Sequence, residues 1–590
     1  MSTPAPDTLF AEFSPVSKAE WKAKAASELG EKPFNTIVWQ TENGFDLEPW
    51  YSSDEISNLP VLVAPDQETW RVCRKISANE VNHANATARQ SLHEGATALE
   101  FVLSGSTSCT HEQLLLLLQD IDTAVVPVYF SGDFPPVVLL DNLLSITGFK
   151  HNSGGMLLDK VDGHDALEAA LLNHQGSRLE NFRTITVSAV DDHENGASAT
   201  EETAILLAGV SDTLYRLQEA GIPAETAARK IEIVLAIGPS HFTELAKIRA
   251  VRFLLQHILK AYGAPTNCLP RIFARTSERN LSLLDPFTNL LRQTTEAVSA
   301  IFGGCQTLQI SPFDNGLSVS HAMAERVSGN IHLLLQHEAE LGRVFDPARG
   351  SYYIEKMTKE LARSAWKLFS DIETAGGLQL ARKSGMIDSL IRNTSENRLA
   401  SINKRTKTMI GVNRYPANLT VHQEDNLSAI RDVLERRPKG NEGAAYELLR
   451  INAIQGKKDT GCSPAVFCWM QGDTAASFRQ AAFAEDFFRC GGFDIAGSAQ
   501  LVPDESSYQA VLTHKPAVLV LCIAEKDPYS AAQIIAQNLR DLDPKLLVVM
   551  AGKPPKDPES LFRAGIDSFI HTGVNLIDHL TMYQHKTGVK

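Results

Sequence analysis

The sequence predicts an α/β protein built on two parallel sheets: a (β/α)8 TIM barrel followed by a flavodoxin-like doubly wound domain. Three observations carry this. The chain has 590 residues, more than a single hydrophobic core usually serves, so two or more domains are expected. From about residue 95 to about residue 315, short β-branched runs alternate with amphipathic helical stretches, the pattern of repeated parallel β/α units. Beyond Pro464 a second alternation begins, with five strand-like runs in about 125 residues, as a doubly wound sheet requires.

Residues 1–35 are expected to form an N-terminal arm with a helix over 21–29, stopped by Gly30 and followed by Pro33. Residues 36–400 are assigned to the barrel. Its clearest unit is a strand over 183–189 followed by a helix over 201–219, which places Ile205, Leu206, Val210, Leu214 and Leu217 on one stripe before Gly221 and Pro223. The next strand is 231–237. A second helix over 244–262 turns Leu245, Ile248, Val251, Leu255, Ile258 and Leu259 inward, ends at Gly263 and Pro265, and leads to a strand near Ile272. Further strands are expected at 98–103, 124–130 and 307–310. Repetition on this scale favours a closed barrel over an open sheet. Residues 401–461 are polar, with charge clusters such as Glu435, Arg436 and Arg437, and are read as a linker wrapping the barrel. Residues 462–590 form the second domain, with strands at 466–469, 493–496, 517–522, 546–550 and 569–571.

Composition narrows the function classes. With 43% hydrophobic and 21% charged residues the chain is ordinary globular. Its net charge of −14 argues against a nucleic-acid binder, which needs a basic face to displace phosphate counterions. The eight cysteines include no CxxC pair, so neither a disulfide frame nor a zinc site is suggested. The N-terminus lacks the basic and apolar blocks of a signal peptide, and no run reaches the roughly 18 apolar residues of a membrane span. A cytoplasmic location, without membrane partners, is expected.

Several strings are specific. Residues 39–51 read WQTENGFDLEPWY, and 244–250 read ELAKIRA after Ala236, Ile237 and Gly238. Residues 285–304 read DPFTNLLRQTTEAVSAIFGG, 346–355 read DPARGSYYIE, and 405–415 read RTKTMIGVNRY. In this order and spacing, across about residues 35 to 415, they resemble the methylmalonyl-CoA mutase family, whose fold is a barrel followed by a small cobalamin-binding-type sheet domain. The resemblance implies a cobalamin-dependent isomerase interconverting succinyl-CoA and methylmalonyl-CoA.

At three places the sequence departs from active members. Those members hold adenosylcobalamin through the histidine of a DxHxxG motif in the first loop of the C-terminal domain, imidazole being a natural nitrogen ligand for cobalt that the aspartate orients. The corresponding loop here runs through Gly472, Asp473 and Ser477 and has no histidine; His514, His571, His579 and His585 lie elsewhere, outside any such motif. Residues 69–77, TWRVCRKIS, align with the family string TIRQYAGFS, which puts Cys73 at the tyrosine that wedges against cofactor and substrate and retains Arg71 as a vestigial substrate contact. Residues 188–197, SAVDDHENGA, align with SGYHMQEAGA, so Val190 replaces a tyrosine and Asp191 the catalytic histidine, while His193 falls on the glutamine. An acidic Asp191 would repel charge developing on a thioester oxygen. Losing one positioned acid costs about 10²- to 10⁴-fold in rate.

The chain is therefore expected to be the small, non-catalytic type of subunit: no catalytic residue, no metal and no cofactor of its own, paired with a homologous large chain that carries adenosylcobalamin and handles the CoA esters. Two alternatives are a self-sufficient divergent mutase binding cobalamin without a histidine, and a CoA-ester binding module.

Overall fold

The computed structural model describes residues 16–55, 62, 69–104, 109–158, 173–179, 181–314, 322–417, 426–461 and 463–589. The helix Lys18–Leu29 begins at a capping box in which Ser17 and Glu20 satisfy each other's backbone. It buries no residue. It is tied instead to its own chain: Trp21 stacks on Trp50 at 5.3 Å, and Lys18 and Lys22 reach Glu48 at 2.7 and 2.6 Å. An antiparallel ribbon, β1 (Trp39–Gln40) and β2 (Asp46–Leu47), follows.

The barrel consists of β3 (Arg71–Ser77), β4 (Ala98–Ser104), β5 (Val128–Asp133), β6 (Gly155–Leu157), β7 (Ile185–Ser188), β8 (Ile231–Ile237), β9 (Arg271–Thr276) and β10 (Thr307–Gln309). Neighbours in sequence are parallel neighbours in space, and β10 returns to pair with β3. The β6–β7 seam is a single parallel bridge between Gly155 and Arg183, with Met156 N donating to the Arg183 carbonyl at 2.9 Å. Gly155 makes room at this seam, because a Cβ there would lie 2.8 Å from the Arg183 carbonyl oxygen. The expected fold class is thus what the molecule adopts.

Four elements differ from expectation. The strand expected at 124–130 is displaced to β5, because Pro127 has no N–H for the ladder and residues 122–126 close a turn instead. Strand β3 precedes the predicted start of the alternation; its Arg71, Arg74, Lys75 and Ser77 hide it among polar stretches. Strand β6 is too short, at three residues, to show periodicity. The helix Ala199–Glu219 is buried on nearly all sides rather than on one stripe, because His241–Ala261 and Tyr352–Thr374 both pack on it.

The second sheet contains β11 (Ala465–Gly472), β12 (Asp494–Gln500), β13 (Val518–Ala524), β14 (Leu547–Ala551) and β15 (Ser568–Ile570), all parallel, in the order β12-β11-β13-β14-β15. This is the flavodoxin-like order, with its switch point beside β11. Between the two sheets the chain folds into the helices Leu427–Arg436 and Ala444–Thr460. The first packs Leu427, Ile430 and Leu434 against Leu283 and Leu284 after β9, and Tyr446 and Leu449 of the second join the core of the second sheet. The seven described cysteines are buried thiols. Among the described residues no helix is long and apolar enough to cross a membrane.

Candidate functional site at the barrel mouth

In a parallel barrel the chemistry sits where the strands end, on the loops that follow them. Strand β7 ends at Ser188 and turns at once into the short helix Val190–Glu194. Four of the singled-out residues are here or just inside. Asp191 is exposed, and its carbonyl accepts from Asn195 N and Nδ2 at 2.9 and 2.8 Å. Asp192 is buried and paired in two-pronged fashion with Arg382, at 3.0 and 2.7 Å. Val190 leans onto the lumen of the barrel.

His193 is buried, with Nδ1 3.1 Å from Glu202 Oε2 and Nε2 3.0 Å from Ser277 Oγ. Burial, helped by the nearby Arg279 charge, pushes its pKa well below the usual histidine value, so the ring is neutral. Glu202 in turn accepts from Lys247 at 2.6 Å, and Lys247 also meets Glu244 at 2.6 Å. Burial alone would strip the Lys247 proton; the two carboxylates outweigh it and raise its pKa. His193 is therefore clamped from both ring nitrogens, and its role is to join the loop after β7 to those after β8 and β9.

Arg279 and Arg398 tie down the same turn. Arg279 Nη1 donates to the His193 carbonyl at 2.6 Å, and Arg398 bonds the Gly196 carbonyl at 2.9 Å and Glu42 at 2.8 Å. Gly440 presses on this turn from outside: a Cβ there would stand 2.5 Å from the Asn195 carbonyl carbon. The segment between the sheets thus lies against the mouth beside Asp191. Two buried carboxyls nearby have pKa values far above the usual carboxylate range: burial and the neighbouring Glu278 raise Glu194 to about 7, and burial raises Glu296 to about 8.

Cys73 sits inside the barrel, packed with Ala98, Tyr129, Leu157, Val234 and Phe273. Tyr129 and Phe273 meet edge to face at 5.1 Å, and the Tyr129 hydroxyl lies 3.1 Å from Thr307 Oγ1. One layer nearer the mouth, Arg275 donates to Glu100 at 2.8 Å and Ser131 does so at 2.6 Å. The lumen is filled by side chains. Burial raises the Cys73 thiol well above its usual pKa, the opposite of what activates a nucleophile.

Arg71 is not brought to this group. It begins β3, at the N-terminal end of the barrel, where it donates to the Ser153 carbonyl at 3.1 Å and faces the Tyr129 hydroxyl at 3.4 Å, beside Arg271, which donates to the same carbonyl at 2.7 Å.

The third place is the loop after β11. Gly472 has φ +83°, and a Cβ would lie 2.4 Å from the Ala524 carbonyl oxygen. Asp473 caps the helix Thr474–Arg489 by accepting from Ala476 N at 2.8 Å. Ser477 is buried and donates to Gln500 Oε1 at 3.3 Å, while Gln500 Nε2 donates to the Gly472 carbonyl at 3.0 Å. Gln471 reaches across to Glu525 at 3.1 Å. Among the described residues no group of three His, Cys, Asp or Glu side chains could hold a metal ion.

Sequence reasoning singled out His193 but missed its partners. Glu202, Glu244 and Lys247 lie on helix stripes otherwise read as apolar, and the signal available was a lysine inside a buried string, ELAKIRA.

The chain has recognisable relatives. A family model described as methylmalonyl-CoA mutase matches residues 166–442. The methylmalonyl-CoA mutase small subunit of Porphyromonas gingivalis is 28% identical, with 99% of each chain covered. That of Streptomyces virginiae is 28% identical over 88% of this chain and 85% of its own. The methylmalonyl-CoA mutase of Escherichia coli is 25% identical over 74% of this chain and 68% of its own.

Proposed function

The chain belongs to the methylmalonyl-CoA mutase family, and from that premise we propose that it is the small, non-catalytic subunit of a heterodimeric mutase. It pairs with a homologous large chain, which carries adenosylcobalamin and performs the isomerisation of succinyl-CoA and methylmalonyl-CoA, in the cytoplasm. The observation that carries this reading is at the barrel mouth, where the side chains after β7 offer no positioned acid: Asp191 is an exposed carboxylate and the nearby His193 is a buried, neutral imidazole.

Two further features support it. Asp191 offers a carboxylate and not an imidazole, and His193, two residues on, has both nitrogens engaged. The residues after β11 do not fit cobalamin: the loop has no imidazole, and its Gly472 carbonyl and Ser477 hydroxyl are taken by Gln500. No step through the cofactor is therefore assigned to this chain. The role left is structural, stabilising the catalytic partner through a permanent interface, which in such complexes buries roughly 2,000 Å² or more. Size-exclusion with light scattering tests it. The chain co-expressed with its large homologue should elute as a one-to-one complex; an unpaired elution of both chains would sink the proposal.

A further inference from the structure

A cleft of about 580 Å³ opens between β1, the start of the helix His241–Ala261 and the end of the helix Met386–Asn403. Its volume falls within the range of small-molecule sites. Neither Asp191 nor His193 lines it, so it is separate from the group after β7. Most such sites are walled by apolar side chains. This one is walled by amides and hydroxyls around a single indole, that of Trp39.

The charged groups of the lining are paired inside the protein. Arg398 meets Glu42 at 2.8 Å, and Lys407 meets Glu442 at 3.6 Å. That arrangement favours an uncharged ligand over an ion. Some of the polar groups are also spent: the Thr394 hydroxyl donates to Glu201 at 2.6 Å, and that of Ser401 to the Asn397 carbonyl at 3.0 Å. Four are not. The side chains of Gln40, Ser240, Thr243 and Asn397 line the cleft and make no hydrogen bond to another of the described residues. Thr243 is the telling one, because it is only 5% exposed. A buried hydroxyl without a partner is costly unless something in the cleft completes it. Trp39 keeps 45% of its surface exposed and packs on no other aromatic ring among the described residues. A large indole left open beside unspent amides offers a flat apolar platform with hydrogen-bonding groups at its edge.

We propose that this cleft binds a neutral polyhydroxylated small molecule, its C–H face laid on Trp39 and adjacent hydroxyls held by Gln40, Asn397 and Thr243. Each amide brings both a donor and an acceptor, and the threonine hydroxyl can serve as either, so together they match neighbouring hydroxyls. Two sources share this chemistry: a free saccharide, or the ribose of a nucleoside. The site does not depend on the small-subunit reading, since none of its residues stands at a family catalytic position.

The test is calorimetric titration of the full chain with maltose and, separately, with adenosine, repeated on the single variants Trp39→Ala and Thr243→Val. The fold should persist in both, because Trp39 has no ring partner and the Thr243 hydroxyl has no hydrogen-bond partner to strand. Binding of one probe with a Kd of about 1 mM or tighter is expected. It should weaken about tenfold in Trp39→Ala and about threefold or more in Thr243→Val. Tighter binding of maltose would assign a saccharide, tighter binding of adenosine a nucleoside, and equal binding recognition of the hydroxyls alone; all three support the site. Absence of binding by both probes, or binding that either variant leaves unchanged, overturns it.

Discussion

Glu296→Gln should make the protein more stable, and increasingly so as pH rises. Glu296 is fully buried on the helix Pro286–Gly303, with Oε1 accepting from Asn280 at 2.8 Å and Oε2 without a partner. Burial, with the charges of Glu244 and Glu194 adding to it, raises its pKa from 4.5 to about 8. The native state therefore holds a proton that the unfolded chain releases above its ordinary value. Because the native state binds more protons between those two values, stability falls as pH rises from the unfolded pKa through the folded one. At about 1.4 kcal/mol per pH unit, the interval from 4.5 to about 8 is worth roughly 4–5 kcal/mol. Glu194, raised to about 7, titrates within the same interval, so roughly 3 kcal/mol is the expected measurable part. Glutamine keeps the shape and removes the ionisation. Urea unfolding of both proteins at about pH 5 and about pH 9 reads this directly: the advantage of Glu296→Gln should grow by roughly 3 kcal/mol across that span. Parallel curves for the two proteins would refute the burial argument.

Three further outcomes follow from the packing. Phe273→Ala should empty part of the barrel lumen and cost about 3–5 kcal/mol, measured by denaturant unfolding, with a change near zero showing that the lumen is not close-packed. Cys73→Tyr should overpack that layer and destabilise by about 1–3 kcal/mol without conferring mutase activity on the isolated chain. Arg382→Met should strand the buried Asp192 carboxylate; since Arg382 keeps 22% of its side-chain exposure, about 2 kcal/mol is expected, and a thermal midpoint equal to wild type would contradict the pairing.

The fold was legible where burial leaves a continuous apolar signature. Strand β8 is buried at all seven positions, and its expected bounds match those observed. In the second sheet each of the five expected runs overlaps an observed strand. The signature fails where a strand's inward face is polar or its length is too small. Strand β3 carries Arg71 and Arg74, one bonded across the barrel end and the other to Ser328 at 2.9 Å, and β6 depends on glycines that permit close approach. The segment between the sheets reads as polar because of its charge clusters, although its helices carry Leu427, Ile430, Val433 and Leu434, then Leu448, Leu449, Ile451 and Ile454, at helical spacing.

The site was legible as a set of substitutions and not as an arrangement. Alignment against family strings located Cys73, Val190 and Asp191, but only geometry places Arg71 at the opposite end of the barrel from Asp191. The buried ionic group around Lys247 could not be read in advance, since its members are spread over three helices and a loop, and a charge inside an apolar helix stripe looks like surface until a second helix covers it.

The most direct measurement is the cobalamin absorbance spectrum and methylmalonyl-CoA turnover of the purified chain, alone and together with its large homologue. Alone, the chain should retain no cobalamin after gel filtration and turn over no substrate, while the pair does both. Turnover by the isolated chain with added adenosylcobalamin would contradict a non-catalytic role.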